Sequence, residues 1–307
     1  MNLDLTSDQL TLQTAIEQLA DHHRTVPTGT IDHFVPGVAL ERDLEENGFF
    51  DVARQDDMGA VEAALLIETI AQLPFTVEVG ASALVAPMVL PGQVLPRPIA
   101  LARAPFTGPV RYLTTAKTAL IDTGNDVRLI DLTGANIEPV KTPFAYPYGR
   151  LTEGDIAKAK VLKGVSPALL RQWWQVSLAV EIYGVAKAAV DLTVQYVKDR
   201  RQFNRPIGQF QSVQHRLAEC TMLVHGTRIL ARRAAWSGKA SDAAEAAAYA
   251  QEAATRIHYD THQFHGAMGI TAEYPLHLWS FRLKALQGEL GGQFEQAKAA
   301  AVAHWGA

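Results

Sequence analysis

Cysteine is nearly missing from this chain. Cys220 stands alone among 307 residues, which excludes an intramolecular disulfide framework and any metal site built on several thiolates. It falls inside a helical pattern, so a buried structural thiol is expected. Long apolar runs are missing too: none approaches the roughly 20 residues that span a bilayer. The opening "MNLDLTSDQLTL" carries neither the basic stretch nor the apolar stretch of a signal peptide. Neither sign of charge is in large excess. A formal charge of −4 gives no broad field for nucleic acid or for an anionic membrane. These absences predict a cytoplasmic protein with no membrane span and no nucleic-acid partner. Gly-x-Ser-x-Gly does not occur, "GAMG" lacks the strand–turn–helix setting of a dinucleotide fingerprint, and His215, His262 and His265 are not at zinc-site spacing. No metal is expected. The histidines read as polar helix residues or as cofactor neighbours.

What is present is ordinary globular material, 48% hydrophobic and 20% charged, enough for two or three domains and a large core. Residues 6 to 24 read as an amphipathic helix capped by Thr6 or Ser7, with Leu10, Leu12, Ile16 and Leu19 as its apolar stripe. Residues 38 to 95 read as mostly helical, punctuated by Gly48, Pro74 and Pro91. The text then turns to Pro, Gly, Thr and short apolar runs, and "ALI-DTGND-VRLIDL" predicts two strands joined by a turn. Ser166-Pro167 is an N-cap followed by proline at the first helical position, and it opens a long helix running to Val197. That helix is apolar on several sides, so it must be packed on several sides. Further helices are expected over about 208 to 236, from Ser241 or Asp242 onward, and over about 275 to 304 with a break at Gly291-Gly292. The fold class is therefore mainly α with a small β-domain: an N-terminal helical domain over 1–95, a reduced β-domain over 96–162 and a C-terminal four-helix bundle over 163–307. Trp173 and Trp174 are assigned to the core or to a subunit interface.

Five strings, in this order, resemble the acyl-CoA dehydrogenase family: "LTSDQLTL", "LEENGFFDV", "IETIAQLPF", "DRRQFNRPIGQFQSVQHRLAE" and "QFHGAMGITAEYP". The last two are quite specific together. The resemblance implies FAD as cofactor, with Arg200 gripping its diphosphate, Phe203 packing on flavin or ribose, Gln211 contacting the cofactor, and Gln263 and Gly266 forming a second contact. A guanidinium suits that task because it stays charged and offers forked donors. In the family these groups generally serve the flavin of a neighbouring subunit, which implies an oligomer with shared sites. Asn204 stands where the family usually has glycine, and asparagine tolerates the left-handed region the turn needs. Outside the resemblance, "KDRR" reads as a solvated helix end, and Arg201 and Arg205 are taken as surface charges.

The family also implies α,β-dehydrogenation of an acyl-CoA, with a glutamate taking the α-proton. At the usual late position of that glutamate this chain has Leu290; its neighbour Glu289 is expected to point elsewhere on a helix. A minority pattern, Tyr-x-x-Glu-x-Ala-Thr, resembles "YAQEAAT" and makes Glu252 the candidate base. The alternatives are an exposed Glu252–Arg256 pair or a base on another chain. The β-domain segments that cradle the flavin ring in full-length members have no counterpart. That asymmetry resembles the short subunit of bacterial α2β2, steroid-CoA-type enzymes. It implies a full-length acyl-CoA dehydrogenase partner, an acyl-CoA substrate of the bulky, steroid-derived kind, and an electron-transfer acceptor. "EYPLHLWSFR" resembles a Leu-His-Leu-x-x-x-Arg variant among such sequences. An autonomous homo-oligomeric dehydrogenase or oxidase, and a cofactor-less helical interaction subunit, are the other two readings.

Overall fold

The structure is a computed structural model that describes residues 4–27, 33–106, 108–135 and 137–306, with only the backbone of 153 and 156. Helix α1 covers Ser7–Asp21. Thr6 accepts from the Gln9 amide, and the Gln9 side chain returns a bond to Thr6, so two helix-end donors are satisfied reciprocally. Then come α2 (Val38–Glu46), a 3₁₀ turn at Phe49–Arg54, and α3 (Ala60–Ile70). A wide helical turn at Gly80–Val85 runs into α4 (Ala86–Val89). Fully buried Glu78 organises this entry: its carboxylate accepts from the amides of Ala81 (2.7 Å) and Ile99 (3.1 Å) and from Ser82.

The β region is small. Strands β1 (Ile99–Arg103), β3 (Thr118–Asp122), β4 (Val127–Asp131) and β7 (Lys160–Val161) form one sheet in the order β1-β3-β4-β7, with β1 parallel to β3 and the other pairs antiparallel. The predicted "ALI"/"VRLIDL" pair is β3 and β4, joined through Thr123–Asp126. Strands β2 (Val110–Arg111), β6 (Tyr148–Gly149) and β5 (Pro139–Val140) form a second, antiparallel sheet in the order β2-β6-β5, and α5 (Glu153–Lys158) precedes β7. A minor core of Ala100, Ala102, Leu113, Ala119 and Ile121 lies here.

Helix α6 (Pro167–Asp199) starts where Ser166 accepts from the Leu169 amide at 3.1 Å, with Pro167 in the first turn. Its buried residues point in every direction, among them Trp173, Trp174, Val176, Leu178, Ile182 and Val185, as its all-round apolarity requires. Strands β8 (Arg201–Gln202) and β9 (Arg205–Pro206) follow. Then come α7 (Gln211–Ser237), α8 (Ala240–His265), α9 (His277–Leu286) and α10 (Gly292–Trp305). The expected break at Gly291-Gly292 separates the last two. The fold class is the expected one: helices with a small β region and a C-terminal helical bundle. Cys220 is buried and free of any disulfide, and both tryptophans of the pair lie in the core. Among the described residues no helix is long and apolar enough to cross a membrane.

Two devices lock the N-terminal helices to the bundle. Arg282 donates to the carbonyls of Leu73 (2.8 Å) and Ala71 (2.7 Å), and Trp279 Nε1 donates to Gln72 O at 3.0 Å. These bonds satisfy carbonyls just past the end of α3, and a cation there complements the helix dipole. Glu68 on α3 is buried and receives the guanidinium groups of Arg228 (2.9 Å) and Arg232. Between them α3 crosses α6 at Gly184, where an added Cβ meets Glu68 O at 2.6 Å and Ala71 Cβ at 2.7 Å. Gly184→Ala is expected to lower unfolding free energy by about 1–3 kcal/mol through overpacking, read as a reduced urea midpoint at unchanged slope.

A solvent-facing corner and an interior cleft

The corner begins where α6 stops, because Arg200 leaves the helical region (ψ 119°). β8 and β9 pair as Arg201↔Pro206 and Gln202↔Arg205, leaving Phe203 and Asn204 as the turn. Both have positive φ, 51° and 63°, which is the type I′ pattern that matches strand twist. Asparagine accepts it readily; phenylalanine does so at a cost. The ring is nevertheless held out at 86% exposure, edge-on to Phe210 at 6.0 Å, while Arg205 lies 4.0 Å over that second ring. Arg205 is exposed, and its guanidinium lies over that aromatic face.

Helix α7 then starts at Gln211, preceded by Phe210, which offers no side-chain cap. Its first amides face outward with the positive end of the dipole. Tyr196, one turn before Arg200, stacks on His265 at 4.3 Å, and its hydroxyl donates to His265 O at 3.4 Å. This contact draws the end of α6 to the end of α8, where Gly266 sits at φ +57°, ψ −134° with open space at its missing Cβ. Arg200, Phe203, Gln211, Gln263 and Gly266 are all exposed. Among the described residues the Arg200 guanidinium has no hydrogen bond or ion pair. A free forked cation, an uncapped helix start, a presented ring and a glycine that admits close backbone approach fit the diphosphate end of a dinucleotide cofactor.

Glu252 is elsewhere. It is exposed on α8 and lines neither the pocket beside Glu78 and Arg111 nor the larger cleft next to it. The alternative Glu252–Arg256 pair is not formed, because Arg256 is bonded to Asp260 (2.7 Å) and Glu219 (3.0 Å).

The second constellation was not visible in the sequence. Arg111 on β2 donates to both carboxylate oxygens of Glu181 at 2.8 Å and meets Glu289 at 2.9 Å. Each of the three side chains is only 12% exposed. Tyr146 donates its hydroxyl to Glu181 at 2.8 Å, and its ring lies 4.7 Å from the guanidinium. Burial pushes Arg111 down in pKa, but Glu181 and Glu289 outweigh it, so the group stays firmly charged. Burial raises the Glu289 carboxyl, with the Arg111 charge opposing. The expectation that Glu289 points elsewhere on a helix is corrected: the elbow Gly288–Gly291 departs from helix at Leu290 (φ 55°) and turns Glu289 inward. The doubled glycine at 291–292 marked a break but could not show what Glu289 meets. Above the ion pairs opens a cleft of 520 Å³ between the β1–β2 connection and this elbow.

Residues 173–292 match the family described as Acyl-CoA dehydrogenase, C-terminal domain. These residues thus carry the C-terminal domain of an acyl-CoA dehydrogenase. Acyl-CoA dehydrogenase IpdE2 of Mycolicibacterium smegmatis is 36% identical over 121 residues, 39% of each chain, so the match spans about two-fifths of that relative. Two solved structures share the fold over nearly the full chain. A variant of the Tcur3481–Tcur3483 steroid ACAD superposes at TM-score 0.78, with 22% identity and 96% of both chains covered. The ChsE4–ChsE5 complex of Mycobacterium tuberculosis superposes at 0.77, with 21% identity and 97% of both covered. Within the family fold, the corner residues occupy the two strings that carried the resemblance, and Arg111, Glu181, Tyr146 and Trp174 are additional to them.

Two measurements check this geometry. Phe203→Asn relieves the left-handed strain and is expected to raise the thermal midpoint of the isolated chain. The same change should reduce cofactor retention wherever the corner is used. Arg111→Met leaves two buried carboxylates without their cation and is expected to cost about 3–5 kcal/mol in stability, seen by urea unfolding at pH 7.

Proposed function

We propose that this chain is one subunit of an FAD-dependent acyl-CoA dehydrogenase, the short subunit of an α2β2 assembly with a full-length homologue. The observation that carries the reading is the unpaired Arg200 beside the exposed Phe203 and the open Gly266. Among the described residues the Arg200 guanidinium has no partner in its own chain, and a cofactor seated mainly on another polypeptide would supply one. Arg200 would neutralise the diphosphate by forked, charge-assisted bonds. Phe203 would cover the flavin or ribose, and Gln211 and Gln263 would hydrogen-bond along the nucleotide. Gly266 would let the backbone approach.

The bound flavin supplies the acceptor for a hydride from the β-carbon of the acyl-CoA while a carboxylate takes the α-proton. This chain's part is to hold and orient the cofactor and to shield it from water. Glu252 on its open helix face lacks the burial that strengthens a carboxylate as a base, so the base is assigned to the partner's glutamate. The steroid ACAD and two-component complex among the structural neighbours support a partner and a bulky acyl group. The assembly is assigned to the cytoplasm, passing electrons to a separate acceptor.

The test is flavin absorbance and stoichiometry, alone and after co-expression with a full-length homologue. The isolated chain is expected to be colourless and the assembly yellow and active. Arg200→Ala in the assembly should weaken flavin retention by about 10–100-fold, the size of a lost charge-assisted bond, and Glu252→Gln should leave turnover unchanged. Saturation of the chain alone with one FAD per subunit, with acyl-CoA turnover, refutes the short-subunit reading in favour of an autonomous enzyme.

A further inference from the structure

Beneath the corner lies a histidine with one buried, unused nitrogen. His265 ends α8 and is only 2% exposed. Its Nδ1 lies 2.7 Å from Thr261 O. A carbonyl oxygen only accepts, so Nδ1 carries the proton and Nε2 holds the lone pair. Nε2 is buried and has no hydrogen-bond partner. The ring stacks on Tyr196 at 4.3 Å and tilts against Tyr274 at 4.9 Å, and the two tyrosines meet edge to face at 5.2 Å. Two groups of the corner depend on this cluster. Gly266 follows His265 directly, and its amide donates back to the carbonyls of His262 and Gln263. On the other side Tyr196 O accepts from the Arg200 amide at 2.8 Å, and Arg200 O accepts from the Ile207 amide at 2.8 Å. One ring stack and one helical turn therefore connect the imidazole to the backbone that carries the Arg200 guanidinium.

A second proton on this ring is poorly accommodated. The titratable and charged groups around it are Tyr196 and Asp199 from α6, His262 from α8 and Tyr274 from the segment before α9. Among the described residues no carboxylate forms an ion pair with His265. A proton on Nε2 thus makes a buried cationic donor with no acceptor. Burial holds the imidazole below its usual pKa, with the bond to Thr261 opposing and the His262 charge adding to the effect. The folded chain takes up the second proton less readily than the unfolded chain. The stability of the joint is therefore full above the usual imidazole value and is lost as the pH falls through the lower folded value. We infer that the corner's hold on its nucleotide is proton-linked through His265: the neutral ring keeps Arg200 and Gly266 in one place, and a second proton parts them. The inference rests on the proposed dehydrogenase reading and deepens it, making His265 a positioning residue that acts through Tyr196. The diphosphate and the guanidinium both keep their charges across this range, so the response to acid belongs to the joint between them. His258 and His262 on α8 are also kept below the usual range by burial, so the test must isolate His265.

Two readouts test it. In the isolated chain, histidine nitrogen NMR from about pH 8 to about pH 5 is expected to show the His265 proton on Nδ1 at the upper end, with the ring signals of Tyr196 and Tyr274 shifting as Nε2 takes up its proton. In the co-expressed assembly, flavin retention is expected to weaken by ~10-fold between about pH 7.5 and about pH 5.5, the tenfold that one unit of proton linkage gives. His265→Phe keeps a ring for the stack and cannot titrate, so its retention should change by less than ~2-fold over the same range. Tyr196→Leu keeps the histidine and removes the stack; it should weaken retention at neutral pH and flatten the response to acid. Tyrosine signals that stay fixed while His265 protonates overturn the inference, and so does an equal loss of flavin in the unaltered chain and in His265→Phe. Either result, with flavin bound at neutral pH, leaves the dehydrogenase reading intact. An assembly without flavin at any pH refutes that reading and the proton-linked hold together.

Discussion

One guanidinium sets how the small sheets sit on the helical bundle. Arg111 comes from β2, Glu181 from the middle of α6, and Glu289 from the elbow before α10, and the three meet in an almost water-free interior. Removing three charges from water costs several kcal/mol each, and the arrangement holds only because geometry and extra bonds offset that cost. Here Glu181 uses both oxygens on Arg111 and takes the Tyr146 hydroxyl as well. The triad fixes the floor of the cleft, the inward aim of Glu289 and the distance between sheet and bundle.

The two constellations handle polarity in opposite ways. In the interior, Arg111 is matched by Glu181 and Glu289, and Glu68 by Arg228 and Arg232. At the corner the cation is unmatched, the helix start is uncapped, and a phenylalanine ring is held in water by a turn that phenylalanine disfavours. A structure made only for its own stability would cap α7 with a polar side chain and place glycine or asparagine at position 203. That the corner does neither is the physical ground for giving it a partner. The Tyr196–His265 stack is what makes the corner a single place: it ties two helix ends that are distant in sequence.

His277 and the Leu-His-Leu-x-x-x-Arg string that contains it belong to the scaffold. His277 meets His33 at 3.1 Å, and burial keeps its pKa below the usual range. Arg282, the last residue of that string, closes the end of α3. A motif that stood out in the sequence for family resemblance thus acts here by satisfying backbone carbonyls.

Local signals carried far. The Ser166-Pro167 start, the all-round apolarity of α6, the Thr6 cap, the β3–β4 hairpin and the break at Gly291-Gly292 were legible because each depends on residues a few positions apart, through helix period, strand alternation or turn stereochemistry. The corner residues were legible as strings for the same reason: Arg200, Phe203 and Gln211 lie within one short segment. Whether Glu289 points outward or inward was not legible. Nor was the meeting of Arg111 with Glu181, nor the exposure of Glu252 away from the cleft. Those facts arise from contacts between residues far apart in the chain, decided when helices and sheet exclude water together. A carboxylate's surroundings, and so its charge and chemistry, are set by that exclusion rather than by its neighbours in sequence.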